Sequence, residues 1–349
     1  MNQSMPEPLL PPQAMTPLQT AGWEEHVFSC DSFVLECGER LAPLRLSYAT
    51  MGTWHPDGRN AVVLLPSASG VKQWALPHVG AEETFDPERY FIISVDALGG
   101  GGSSRPSESL GNRFPGYSIR DNARAIHLLL TQRLALPALK AIGGASMGAM
   151  IALEFGLCFP SFPERLLLWS PSAKCSPMFI ALARLMQEAV ALDPNFNGGR
   201  YGLQPLQGLQ VAGQAYFLAL VGRRFLENTP IADRESIATK VGQMYRQCWD
   251  ANDLLSRYHS LTLHDVYSRP EGNDPDILSR LQPACLLMPS RSDHLLPIEL
   301  ALEMHASIPR SQLETIEGET GHWAASQPPG TQEYRRVRDA TRTFLNAAV

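Results

Sequence analysis

Short apolar segments alternate with helical patterns in the first half of this chain. Two segments, residues 61–66 and 90–95, are continuously apolar, which is typical of strands covered on both faces. Strands are also predicted at residues 139–145 and 165–170. Residues 118–134 and 149–159 carry apolar side chains at helical spacing. Strands that alternate with helices predict a mostly parallel sheet with right-handed crossovers and helices on both faces. The pattern therefore predicts an α/β fold.

Other sequence patterns predict the strands at the two edges of the sheet. Residues 25–35 and 44–51 alternate β-branched or aromatic residues with polar ones, which predicts a hairpin turned by residues 38–40. Apolar strand signals return at residues 284–288 and 313–317, so the two ends of the chain contribute to one sheet. Helices are also predicted at residues 297–308 and 331–348.

The middle of the chain has a different pattern. Helices are predicted at residues 178–192, 205–226 and 231–256, and no buried strand is predicted among them. A long helical insertion between two strands of one sheet would form a lid, or cap, over the carboxyl edge of the sheet and shape a pocket there. We therefore predict a flexible N-terminal extension at residues 1–20, a core formed by residues 21–174 and 283–349, and a helical lid at residues 175–282.

Composition excludes several classes of function. The net charge is -6 and no cluster of Lys and Arg occurs, which argues against a nucleic-acid partner. Hydrophobic residues make up 44% of the chain, enough for a full core, and we expect a small-molecule substrate. The six cysteines form no Cys-x-x-Cys pair, and most lie in apolar runs. We expect buried thiols in a cytoplasmic protein, without a membrane partner, a metal or a cofactor.

One serine lies between glycines where a predicted strand turns into a predicted helix. Gly144, Ser146 and Gly148 form the pattern Gly-x-Ser-x-Gly. At such a nucleophile elbow, a side chain beside the serine would collide with the neighbouring strand or helix, and the hydroxyl is exposed at the edge of the sheet. The amide of Met147, at the positive end of the helix, can donate to an oxyanion. The pattern also occurs by chance at ordinary turns, so the surrounding sequence has to show whether Ser146 is a nucleophile or only a small turn residue.

An acid and a histidine follow the two late strands. Asp293 comes after residues 284–288, and His322 comes after residues 313–317. The chain order serine, aspartate, histidine is the one expected of an α/β-hydrolase triad, in which histidine takes the serine proton and an acyl-enzyme forms. Asp274 and Asp276 are alternatives, but neither follows a strand. Asp96 ends a strand before the serine and is expected to cap a turn.

Several motifs resemble those of the homoserine O-acetyltransferase family within the α/β-hydrolase superfamily. The resemblance runs from about residue 48 to residue 322 and is carried by residues 96–100, 120–125, 144–150 and 187–201. It implies the triad Ser146, Asp293 and His322, with Met147 and Ala68 as the oxyanion amides. It also implies self-association as a homodimer through lid helices.

Three positions depart from that family. Its members carry an arginine and a tyrosine that hold the acceptor's carboxylate, and an aspartate that meets its amino group; this chain has Gly213, Leu220 and Trp323 there. A site that left both charges of homoserine unpaired would lose several kcal/mol of binding. The three residues should make the pocket more apolar, as suits a neutral ester.

The sequence therefore predicts an acetyltransferase-like carboxylesterase that hydrolyses short-chain esters. One alternative is an O-acyltransferase that moves an acetyl group from acetyl-CoA to an alcohol other than homoserine. A second alternative is a binding protein that has kept the fold and lost the chemistry, which the intact Ser146, Asp293 and His322 argue against.

Overall fold

An eight-stranded sheet lies at the centre of the protein in the computed structural model, which describes residues 22–348. The strands are β1 Glu24–Cys30, β2 Leu44–Met51, β3 Ala61–Leu65, β4 Phe91–Val95, β5 Leu139–Ala145, β6 Pro163–Trp169, β7 Ala284–Met288 and β8 Ser311–Leu313. Their order across the sheet is β1-β2-β4-β3-β5-β6-β7-β8. Strands β1 and β2 pair antiparallel, as do β2 and β4, and the other pairs are parallel. The predicted α/β fold with a mostly parallel sheet is confirmed.

Helices cover both faces of the sheet. They are α1 Ile119–Leu128, α2 Met147–Cys158, α3 Pro177–Ala191, α4 Leu206–Leu220, α5 Arg223–Asn228, α6 Ile231–Cys248, α7 Ala251–Thr262, α8 Ile298–Ser307 and α9 Gln332–Asn346. Successive strand residues point to opposite faces. Val63 and Leu65 of β3 therefore join the core that contains α1 and α2, whereas Val62 and Leu64 join a second core with α9. Burial on both faces explains the continuously apolar strands.

Both sheet edges differ in detail from the predicted strands. The predicted hairpin is confirmed, with Glu24 opposite Thr50 and Cys30 opposite Leu44. Its first strand ends at Cys30, and a short pair, Phe33–Val34 with Arg40–Leu41, occupies the connecting loop. At the other edge, β8 ends at Leu313, the first residue of the predicted segment 313–317, and beyond it Ile316 makes an isolated bridge to Ser290. The predicted extension at residues 1–20 lies outside the described residues.

Helices α3 to α7 lie between β6 and β7, where the sequence predicts helices. Two predicted helices are divided, because Val221 and Trp249 adopt extended backbone and end α4 and α6. Asp250 then caps α7 by accepting from the amides of Asn252 and Asp253. A short exposed pair, Ser268–Arg269 with Gly272–Asn273, follows these helices.

The family-like motif at residues 187–201 organises these helices. The carboxylate of Asp193 accepts from the amides of Gln207 and Gly208 at the start of α4, each at 3.0 Å. The hydroxyl of Tyr201 donates to Asp250 at the start of α7, at 2.7 Å. The motif therefore fixes the junctions between the inserted helices.

Candidate active site

The predicted nucleophile elbow is present between β5 and α2. Ser146 has φ 55° and ψ -113°, a positive φ that residues other than glycine rarely adopt. A Cβ at Gly144 or at Gly148 would overlap the carbonyl oxygen of Leu65 at the end of β3. The amide of Ser146 donates to the carbonyl of Trp169 at 2.8 Å, which ties the elbow to the end of β6. Both glycines are therefore needed for the elbow to pack against the sheet.

The structure brings Ser146, His322 and Asp293 together. His322 Nε2 lies 2.8 Å from Ser146 Oγ, and His322 Nδ1 lies 2.6 Å from Asp293 Oδ2. All three residues are buried. Ser146 directly follows β5, and Asp293 and His322 lie in the segments that follow β7 and β8. Because these strands are parallel, the three residues lie at the same edge of the sheet.

The carboxylate of Asp293 is held in one orientation. Its Oδ1 accepts from the amides of Leu295 and Leu296, each at 2.9 Å, which leaves Oδ2 for the imidazole. A carboxylate facing Nδ1 favours the tautomer with the proton on that nitrogen, so Nε2 can accept the serine proton. The alternative Asp274 instead pairs with Arg280, at 2.8 Å.

Asp96 belongs to a separate buried network. Its carboxylate accepts from the backbone amide and the side chain of Lys72, at 2.6 and 3.3 Å, and from the amide of Gly102, at 2.9 Å. Asp96 therefore joins the two loops that follow β3 and β4. The structure agrees with the prediction that it stabilises loops rather than acting beside Ser146.

The two predicted oxyanion amides come from α2 and from the loop after β3. Met147 is the first residue of α2, where an amide has no partner within the helix. In the loop at residues 67–70, the amide of Gly70 donates to the carbonyl of Ser67 at 3.0 Å. The carbonyl of Ala68 in this loop accepts from Arg257 at 3.1 Å, and the role of its amide as an oxyanion donor stays a prediction.

Arg257 of α7 contacts this loop. Its Nη1 donates to the carbonyls of Ala68, at 3.1 Å, and Gly70, at 2.9 Å. Its Nη2 donates to the carbonyl of Ala97 at 3.4 Å. Arg257 is 1% exposed, so a buried guanidinium connects α7 to the predicted oxyanion loop. No sequence pattern indicates Arg257, because a contact across 189 positions leaves no local signal.

A cavity of about 270 Å³ opens beside Ser146 and His322. This is slightly below the usual range for ligand pockets, about 300–1,000 Å³. Helices α4 and α6 supply Tyr216, Leu220, Val241 and Met244 to its wall, and the rest of the wall includes Trp74, His78, Ser170 and Trp323. No Asp, Glu, Lys or Arg occurs among the described residues that line it.

The predicted pocket residues divide into two groups. Leu220 and Trp323 line the cavity. Gly213 does not, and the prediction that it shapes the pocket wall is wrong. It lies where α4 meets α6, and a Cβ there would be 2.7 Å from Cβ and Cγ of Tyr245, which is fully buried. Glycine at this position allows the two helices to approach and Tyr245 to fill the space.

His78, one of two histidines that line the cavity, is buried in an aromatic cluster. His78 is 3% exposed, and its ring packs against Trp169 and Tyr334, with centroids 5.0 and 5.2 Å apart. Burial lowers the pKa of His78 to about 3, because the charged imidazole would lose its hydration. The wall therefore carries no charge from this side chain near neutral pH. The sequence offered no signal for His78, since it lies in a 3-10 helix, Lys72–His78, without apolar periodicity.

Comparison with known proteins decides the family. Residues 60–329 match the family model described as alpha/beta hydrolase fold. The chain belongs to the α/β-hydrolase fold family. It is 29% identical over 301 residues to a probable esterase of Corynebacterium glutamicum, covering 82% of this chain and 86% of that protein. It is 30% identical over 316 residues to a homoserine O-acetyltransferase of Trichormus variabilis, covering 83% and 86%. The predicted resemblance to that family is thus confirmed.

A solved structure extends the similarity to nearly the whole chain. The acetylester hydrolase from Corynebacterium glutamicum superposes with a TM-score of 0.87 and 26% identity. The match covers 93% of this chain and 96% of that protein. Relatives of both kinds, an ester hydrolase and an acetyltransferase, therefore share this architecture, and the choice between the two activities depends on the site.

The remaining predictions from the sequence concern the cysteines, metal binding, the membrane and the location of the protein. All six cysteines carry free thiols; Cys285 is fully buried, Cys37 is exposed and the other four are partly buried, so the prediction of buried thiols holds only in part. In the same residues, no cluster of side chains could hold a metal ion. No helix there is long and apolar enough to cross a membrane. The cytoplasmic location stays a prediction.

Proposed function

We propose that this protein is a serine esterase that hydrolyses short-chain, acetyl-type carboxylic esters. The observation that carries the proposal is the uncharged wall of the cavity beside Ser146 and His322. A neutral ester can be buried there without leaving a charge unpaired, whereas homoserine would bring both a carboxylate and an ammonium group.

The proposed reaction has two steps through an acyl-enzyme. Ser146 Oγ attacks the ester carbonyl while His322 takes its proton, and the amides of Met147 and Ala68 stabilise the oxyanion. The alkoxide then leaves with the proton from His322. In the second step His322 takes a proton from water, the hydroxide attacks the acyl-enzyme, and the acid departs as Ser146 regains its proton. Asp293 stabilises the imidazolium in both steps.

Helices α3 to α7, within residues 175–282, act as the lid in this proposal. Leu220, Val241 and Met244 of the lid face the core across the cavity, so they contact either the acyl or the alcohol portion of the ester. The lid also supplies Tyr216, whose hydroxyl forms a hydrogen bond with the side chain of Ser69 in the predicted oxyanion loop. Substrate size is therefore set by packing between lid and core.

One observation favours the alternative, an O-acyltransferase. Ser146 and His322 are only 8% and 6% exposed, and an enclosed site can exclude water in favour of an acceptor alcohol. Such an acceptor would have to be uncharged, since the described cavity wall offers no cation or anion to pair with. The donor would then be acetyl-CoA.

The test is a paired assay on the purified protein. Acetate release is measured from phenyl acetate, and CoA release from acetyl-CoA is measured alone, with homoserine and with a neutral alcohol. Ser146→Ala should lower acetate release by about 10⁴-fold or more. Ser307→Ala, a matched change at an exposed serine on α8, should leave it unchanged.

The outcomes separate the two activities. Ser146-dependent hydrolysis that homoserine does not alter supports the esterase. CoA release that requires a neutral alcohol and exceeds ester hydrolysis supports the transferase. Saturable CoA release that requires homoserine would contradict both proposals and the inference from Leu220 and Trp323.

A further inference from the structure

The loop that leads to His322 lies beyond the paired part of the sheet. Within residues 22–348, backbone pairing between the segments that follow β7 and β8 ends at Ile316, which bridges Ser290. Residues 318–321, here called the histidine loop, then reach the 3-10 helix Gly321–Ser326, whose second residue is His322. The position of His322 therefore depends on what packs against this loop.

Side chains near Asp293 and α9 contact the histidine loop. The amide of Gly321 donates to Oγ of Ser292 at 3.1 Å, and Ser292 directly precedes Asp293. The hydroxyl of Thr320 donates to the carboxylate of Glu333 in α9 at 3.3 Å. These contacts hold the loop next to the segment that carries the acid of the candidate site.

The junction between α4 and α5 packs against the same loop. Gly222 at this junction is buried, and a Cβ there would overlap the carbonyl oxygen of Glu319 and lie 3.2 Å from the amide nitrogen of Gly321. In turn, a Cβ at Gly321 would lie 2.7 Å from the carbonyl oxygen of Leu220. The two backbones are therefore in direct contact immediately before His322.

Helix α5 adds side-chain contacts to the histidine loop. Nδ2 of Asn228 donates to one carboxylate oxygen of Glu319 at 2.7 Å, and Nη1 of Arg224 lies 3.4 Å from the other. The side chains of Arg224 and Glu319 are 76% and 43% exposed, so this pair adds little to stability. Its contribution is to tie Glu319 to α5.

The backbone conformation of Gly222 does not explain the glycine. Gly222 has φ -69° and ψ 153°, which any residue can adopt. It also precedes α5 as the N-cap, where serine would stabilise a helix better than glycine does. The contact with the histidine loop, which leaves no room for a Cβ, does explain it.

We propose that Gly222 is a positioning residue for His322, because its lack of a side chain lets the α4–α5 junction support the histidine loop. The effect on catalysis rests on the proposed esterase function. An added Cβ has to displace one of the two backbones by about 1 Å, since a carbon and an oxygen that are not bonded lie about 3.3 Å or more apart. A misplacement of about 1 Å in a catalytic site can lower the rate by about 100-fold.

Four variants test the contact. Gly222→Ala and Gly222→Ser both add a Cβ, but serine also improves the cap of α5. Gly202→Ala is the matched control, because Gly202 lies between α3 and α4, has no positive φ, and a Cβ there would meet nothing within 4 Å. Asn228→Ala removes the 2.7 Å hydrogen bond to Glu319 without adding volume, so it tests the loop even if the Gly222 variants do not fold.

Two measurements report on His322 without an ester substrate. The first is the rate at which a fluorophosphonate labels Ser146, a reaction in which His322 takes the serine proton, Oγ bonds phosphorus and fluoride leaves. The second is the downfield proton NMR resonance of the Nδ1–H of His322, which is hydrogen-bonded to Asp293. Acetate release from phenyl acetate is measured in parallel, and thermal unfolding shows which variants are folded.

We expect both Gly222 variants to label Ser146 about 10- to 100-fold more slowly than the wild type, with a shifted or broadened His322 resonance. Asn228→Ala should label about two- to fivefold more slowly, and Gly202→Ala should match the wild type in both measurements. The loss in Gly222→Ser should equal the loss in Gly222→Ala.

Three results would overturn the positioning role. One is a wild-type labelling rate and resonance in a folded Gly222→Ala protein. Another is recovery of both in Gly222→Ser alone, which would show that the residue only caps α5. The third, if neither Gly222 variant folds, is a wild-type rate and resonance in Asn228→Ala. If the wild type is labelled at Ser146 but releases no acetate from phenyl acetate, the esterase proposal fails and the positioning of His322 stands.

Discussion

Replacing Arg257 by methionine tests whether the lid positions the oxyanion loop. Methionine keeps a long apolar side chain but removes the donors that hold the carbonyls of Ala68 and Gly70, at 3.1 and 2.9 Å. Without them, the loop can shift the amide of Ala68 away from the reacting carbonyl. The substitution therefore acts on the transition state through another residue.

The magnitude follows from these contacts. Loss of a complete oxyanion donor lowers kcat by about 10²–10³-fold. The loop retains its own turn from Gly70 to Ser67, at 3.0 Å, so we expect a partial effect of about 10- to 100-fold on kcat, with KM changed by less than about threefold. Stability should change less than the lost hydrogen bonds suggest, because the variant no longer buries a charge.

The assay measures kcat and KM for phenyl acetate, with the free energy of unfolding from denaturant titration. Arg257→Lys should recover part of kcat, because an ammonium group can hold one of the two carbonyls. Arg223→Met is the control, since Arg223 is an exposed lid arginine, with 88% of its side chain accessible.

Two results would refute this account. A folded Arg257→Met protein with kcat within about twofold of wild type would show that the loop keeps its geometry without the guanidinium. A loss of kcat equal to the loss of folded protein would show a role in stability alone.

Two further predictions concern stability and assembly. His78→Phe should flatten the pH dependence of the free energy of unfolding, because His78, with a pKa lowered from 6.5 to about 3, binds its proton near pH 6.5 only after unfolding. The wild type should therefore lose about 1.4 kcal/mol of stability per pH unit below 6.5 from this group, and parallel denaturant-titration curves for the two proteins would contradict that. The homodimer predicted through the lid helices would use exposed apolar residues such as Leu185 of α3 and Val211 of α4, which are 53% and 49% exposed. Leu185→Arg should then lower the mass found by sedimentation, and a wild-type monomer at micromolar concentration would rule the dimer out.

Local patterns predict the fold and the three residues that the structure brings together at the candidate site. Continuous apolar strands indicated a sheet buried on both faces, and the glycines around Ser146 indicated a sharp turn. Asp293 and His322 could be selected because they follow strands, and the carboxyl ends of parallel strands meet at one edge. Each of these inferences needs only the spacing of apolar residues and the order of the predicted elements along the chain.

The predicted helix boundaries and the predicted position of Gly213 differ from the structure. Residues 205–226 and 231–256 are helical in character throughout, yet Val221 and Trp249 interrupt them where the helices turn to cover the core. The resemblance to a family with an arginine at this position predicts that Gly213 lies in the pocket. The reason for the glycine lies in Tyr245, which a Cβ would meet at 2.7 Å.

The α/β fold, the elbow and the order of Ser146, Asp293 and His322 could be predicted from the sequence, because they depend on side-chain periodicity and on local backbone geometry. The surroundings of these residues became visible only in the folded protein, where Arg257 contacts Ala68 across 189 positions and the described residues that line the cavity include no Asp, Glu, Lys or Arg. Such contacts depend on how helices α3 to α7 pack against the core. Since many sequences can form the same packing, no single residue in the sequence predicts these contacts.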